Sequence, residues 1–167
     1  MLFNICCLYL SSFLLLAGFG YDPFTPESAD AFVAKMEHYF GIHLSYEMRD
    51  LPPDYWGATV ASGNPLRCTN TVYLDVKWYG STSPLWKYVL VHEWVHTTQR
   101  ARCVDNEKAT ELETLRILAW AKEWGAFLAG VNHFVKVGRY TMEEVIQVIK
   151  DNASRQQEML YMRRGFE

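Results

Sequence analysis

The sequence predicts an α+β domain in which a small antiparallel or mixed sheet packs on a helical core. Three observations carry this expectation. The chain has 167 residues, half of them apolar, which is enough for one hydrophobic core. Apolar and polar residues alternate over 71–78 in the period of a strand, and four segments combine helical periodicity with a recognisable start signal. A net charge of −3 provides no basic field for nucleic acid, so no DNA or RNA partner is expected.

The elements follow in order. Residues 1–20, MLFNICCLYLSSFLLLAGFG, are apolar, uncharged and end in small residues. That pattern is read as a secretory signal peptide cleaved near Gly18 or Gly20, although it lacks a basic start; the alternatives are an uncleaved membrane anchor or a buried N-terminal helix. Residues 21–167 are then one secreted, monomeric domain with no membrane partner after cleavage. Thr25-Pro26-Glu27 opens a helix that buries Phe32, Val33, Met36, Tyr39 and Phe40 until Gly41 stops it. Ile42, Leu44, Tyr46 and Met48 alternate as a half-buried strand. His38 and His43 have no matching ligand nearby and are read as structural or surface residues.

Leu51-Pro52-Pro53-Asp54 is a breaker, Thr59-Val60-Ala61 a short strand and Gly63-Asn64-Pro65 a turn. Thr71 to Trp78 is the clearest strand, with Val72, Leu74 and Val76 on one face. Ser83-Pro84 caps a helix over 84–100. Asp105 or Asn106 caps another that runs through Leu112, Leu115, Leu118, Trp120 and Trp124. Residues 130–140 break that pattern, and Thr141-Met142-Glu143-Glu144 is a capping box opening a last helix along Val145, Ile146, Val148 and Ile149. Arg163-Arg164 suits that helix's C-terminus. Cys6 and Cys7 fall in the leader, leaving Cys68 and Cys103. In an exported domain these are expected to pair, and closing a loop of about 35 residues contributes roughly 3–4 kcal/mol in the chain-entropy model.

The chemistry sits in His92-Glu93-Trp94-Val95-His96. Positions four apart share one face of a helix, so both imidazoles can hold one metal ion. Glu93, about 100° around, can reach a water on that ion without ligating it. Zinc in a catalytic site takes three protein ligands and leaves a fourth position open. The metzincin pattern needs Gly at 99 and His at 102, where this chain has Gln99 and Arg102. A carboxylate from the next helix is the remaining source. If the two helices mirror about 103–104, His96 lies level with Glu111, while Glu107 sits about a turn low and Glu113 points about 200° away. The order of preference is Glu111, Glu107, then Asp105.

Thr71-Val72-Tyr73-Leu74-Asp75, the stretch His92 to Gln99, and Glu111-Leu112-Glu113-Thr114 together resemble the zincin metallopeptidases, particularly short gluzincin-like members. The resemblance covers about 55 residues of the 167, and its specific part is H-E-x-x-H. It implies a zincin-like fold and zinc-dependent peptide hydrolysis, with His92, His96 and Glu111 as ligands and Glu93 as general base. Members often carry an acid or amide four residues after the glutamate ligand. Here that position is Leu115, whereas Glu107 has Glu111 four residues on, so Glu107 as ligand backed by Glu111 stays open.

Such a site also needs a donor for the developing oxyanion, commonly Tyr, His or Arg. Tyr140 and His133, in the irregular 130–140 segment, are the candidates. Strand 71–78, if it borders the cleft, can pair with an extended peptide or protein substrate. The competing reading is a non-catalytic zinc-binding domain acting through a protein partner, against which Glu93 speaks, since a structural site needs no base. Six Trp and ten Tyr also permit a carbohydrate- or protein-binding surface, although aromatics at helical spacing more often build a core.

Overall fold

The computed structural model describes residues 23–41, 44–59, 71–100, 106–136 and 138–164. The segment expected to be a leader, His43, the turn at 63–65, Asp105 and the cysteines expected to pair lie outside the described residues. The class is α+β, and the described residues form five α-helices and a three-stranded mixed sheet. None of the described helices is long and apolar enough to cross a membrane.

Helix α1, Pro26–Phe40, begins at a capping box. The Ser28 N–H donates to Thr25 Oγ1 and the Thr25 N–H donates to Ser28 Oγ, and the helix ends where the Gly41 N–H bonds the Glu37 carbonyl. Strands β1 (Ser45–Arg49), β2 (Gly57–Thr59) and β3 (Thr71–Asp75) form a sheet in the order β1-β3-β2, with β1 parallel and β2 antiparallel to the central β3. The expected strand over 71–78 therefore ends early. Buried Asp75 accepts from the Lys77 N–H at 2.7 Å and from the Leu51 N–H at 3.3 Å, which turns Val76–Trp78 into a 3-10 helix and leaves Val76 exposed. The carbonyl of Trp56 then accepts from the Asp75 N–H at 3.1 Å and from the Trp78 indole at 2.9 Å, fixing the loop that leads into β2.

Helix α2, Leu85–Arg100, is the centre of the molecule. Ser83 Oγ accepts from the Leu85 N–H at its start. Every residue from Trp86 to Val91 is buried, because the helix packs on β2 and β3 and also on the two helices that follow; a helix apolar nearly all round belongs inside. Trp86 meets Phe24 and Phe32 edge-on at 5.1 and 5.5 Å. Helix α3, Glu107–Trp120, is capped by Asn106, whose side chain accepts from the Ala109 N–H at 3.0 Å.

Helix α4, Trp124–Lys136, occupies much of the segment expected to be irregular. The break comes earlier, at Lys122 in the left-handed region (φ 60), where the N–H groups of Lys122 and Glu123 close on Ala119 and Leu118. Lys35 and the buried Lys87 both hold Glu123 at this corner. Gly130, at the start of the stretch expected to break the pattern, is a packing site: a Cβ there would lie 2.2 Å from Cδ2 of Tyr88. Helix α5, Met142–Arg164, starts at the expected capping box, with the Thr141 N–H donating to Glu144 and the Glu144 N–H to Thr141. Its buried face is Val145, Val148 and Asn152, while Ile146 and Ile149, expected on the same apolar face, are exposed.

Candidate metal centre

His92 and His96 lie one turn apart on α2, and the first turn of α3 brings Glu107 to them. His92 Nε2 and His96 Nε2 are 3.1 Å apart. Glu107 Oε1 is 3.2 Å from His96 Nε2, and Oε2 is 3.4 Å from His92 Nε2. Among the described residues these three form the group able to hold a metal ion. Ligand distances of 2.0–2.1 Å at a tetrahedral angle put donor atoms about 3.3 Å apart, so the three separations fit one zinc ion. Burial, then the neighbouring His96 and Arg139, push the His92 imidazole down to about 3, which keeps its lone pair available near neutral pH.

Glu111, the first choice as third ligand, is placed elsewhere. The symmetric hairpin behind that choice assumed level helix ends, whereas the first turn of α3 lies beside the two imidazoles and the second lies deeper. Glu111 is 1% exposed, and its Oε1 accepts from Arg139 Nη1 at 2.7 Å. Burial raises the Glu111 carboxyl while Arg139 opposes the rise. Glu107, by contrast, has a side chain 62% exposed, free to swing onto an ion.

The cluster opens into a cleft of about 330 Å³ bordered by Trp56, Gly57, Tyr88, Glu93, His133 and Arg139, among others. Gly57 explains the cleft's shape. A Cβ there would lie 2.7 Å from Val89 and 2.8 Å from Glu93 Cγ, so β2 crosses the helix directly over Glu93 only because it lacks a side chain. His133 reaches the cleft from α4, not from a loop, and its ring lies 4.6 Å from that of Trp56. Tyr140 does not border the cleft. It is buried, its hydroxyl donates to the Gly130 carbonyl at 3.0 Å, and burial pushes its phenol upward.

Arg139 is a charged cleft residue that the sequence does not single out; its mark there is its place beside Tyr140. The guanidinium is half-exposed, and the bond to buried Glu111 fixes its direction. Compared with known proteins, the chain matches no family model, no curated protein and no solved structure.

Proposed function

We propose that this chain is a zinc-dependent metallopeptidase of zincin-like type, with His92, His96 and Glu107 as the metal ligands and Glu93 as general base. The observation that carries the proposal is the convergence of two imidazole nitrogens and one carboxylate within 3.1–3.4 Å beside a cleft that also holds Glu93. When bound there, zinc supplies an activated water and polarises a peptide carbonyl. Glu93, offset by about 100° from His92 on the helix, takes the proton and delivers it to the leaving amine. Retention of a base in this position favours catalysis over a purely structural metal.

Arg139 and His133 are the donors facing the substrate. Arg139 keeps its charge throughout and offers a fixed positive charge to carbonyl oxygens in the cleft. Tyr140, committed to Gly130, has no part in this. Substrate pairing by strand addition belongs to β2 and not to β3, because β3 is hydrogen-bonded on both sides.

Elemental analysis and cleavage of a mixed peptide library test the proposal together. The purified protein is expected to hold one zinc per chain, and Glu93→Gln to retain that zinc while losing about 10²-fold or more of its activity. A zinc-free native protein, or a Glu93→Gln variant with undiminished cleavage, would overturn it.

A further inference from the structure

We propose that the chain associates with a second copy of itself through α5, the two helices packing antiparallel about a two-fold axis, in place of the monomer expected from the sequence. The apolar arc of α5 is wider than the core covers. Val145 and Val148 are buried, whereas Met142, Ile146 and Ile149 are 44%, 42% and 39% exposed. With the exposed Ala153 these three recur at intervals of four, three and four residues, which places them within about 60° of one another in a single stripe along the helix. A lone exposed apolar side chain is ordinary, but four in heptad spacing make the kind of seam along which two helices pair.

Charge selects the partner and its direction. Glu143 and Lys150, both exposed, border the stripe on one side. Among the described residues Glu144 is held by Lys108 at 2.6 Å and Asp151 by Gln147 at 2.7 Å, while Glu143 and Lys150 have no such partner. In an antiparallel pair centred between 147 and 148, Ile146 of each copy meets Ile149 of the other and Met142 meets the small Ala153. Glu143 then lies about 3 Å along the axis from Lys150 of the second copy, within reach of its long side chain. Two ion pairs close the same flank. A parallel, in-register pair would instead set Glu143 level with Glu143 and Lys150 level with Lys150, so charge decides the orientation. Residues 142–154 carry three acids and one base, which disfavours an anionic lipid surface as the occupant. Side chains already more than half buried leave a small interface, so the association is weak and reversible.

The test is sedimentation equilibrium of the full chain. A monomer–dimer equilibrium with Kd of roughly 10–100 μM is expected. Ile146→Glu, at an exposed position, should keep the native far-UV circular dichroism and weaken dimerisation about tenfold or more, because it sets two like charges at the centre of the seam. Glu143→Lys and Lys150→Glu should each weaken it by roughly fivefold, since either change turns two exposed ion pairs into two repulsions. The double variant Glu143→Lys, Lys150→Glu reverses both signs together and should dimerise within about twofold of the native chain. The proposal fails if the native chain remains monomeric up to about 500 μM, if Ile146→Glu associates as the native chain does, or if the double variant is no tighter than either single one. It also fails if the native chain co-sediments with phosphatidylserine vesicles and Ile146→Glu does not, which would mark the stripe as a membrane-seated face.

Discussion

Glu107 and Glu111 stand four residues apart on one helix face, and their environments are opposite, one exposed and one buried. An exposed carboxylate costs little to place on a metal ion, whereas a fully buried one needs its own counter-charge. Glu107→Gln is therefore expected to weaken zinc binding at least tenfold, because an amide is a poorer ligand than a carboxylate, and Glu111→Gln to leave the metal in place. Metal content measured on both variants checks this; loss of zinc in Glu111→Gln alone would return the ligand role to Glu111. Arg139→Ala leaves the buried Glu111 carboxylate without its partner. Because the guanidinium is half-exposed and solvent screens part of the pair, the expected destabilisation is about 1–3 kcal/mol by denaturant titration. Peptide cleavage should fall in the same variant, and a fully active, fully stable Arg139→Ala protein would remove Arg139 from the site.

At the scale of elements, close approaches set the geometry. α4 lies against α2 because Gly130 leaves room for the Tyr88 ring, and a Cβ at 2.2 Å from that ring cannot be absorbed without moving one helix. Gly130→Ala is expected to cost about 1–3 kcal/mol despite alanine's better helix propensity. An unchanged unfolding midpoint would show that the seam is looser than this. The contact between α1 and β1 has a pH signature. Burial, then the hydrogen bond to Asp30 at 3.0 Å, push the Tyr46 phenol from 10 up to about 12. A group raised in the folded state adds stability that is fully present below its unfolded value of 10 and is lost as pH rises toward 12. Stability should therefore fall across that window, and Tyr46→Phe should fall less steeply; parallel curves for the two proteins would refute the assignment.

For the whole molecule, the proposed metal bridges α2 and α3, so it stabilises the native state by linkage. Removing zinc held at 100 times its Kd costs about 2.7 kcal/mol, a drop in Tm of roughly 5–10 °C for a domain of this size. Calorimetry with and without a chelator measures it, and identical Tm values would mean that the native fold holds no ion. Much of this architecture was legible in the sequence because it depends on contacts a few residues long. The capping boxes at Thr25 and Thr141 and the Asn106 cap are local hydrogen bonds, and His92 and His96 share a face through helical geometry alone. The end of β3 was misplaced because a side chain, Asp75, turns the backbone two residues on. Helix α4 runs past residue 130, where the sequence predicts a break, and its Gly130 packs against Tyr88, over forty residues away. Sequence by itself determined the class of the domain, the starts of four helices and the shared helix face of His92 and His96. Only the tertiary structure decided that Glu107 meets them, that Glu111 turns to Arg139, that His133 enters the cleft and that Tyr140 stays behind it, because the height and rotation of one helix against another are set by packing across the core and by no repeat within either helix.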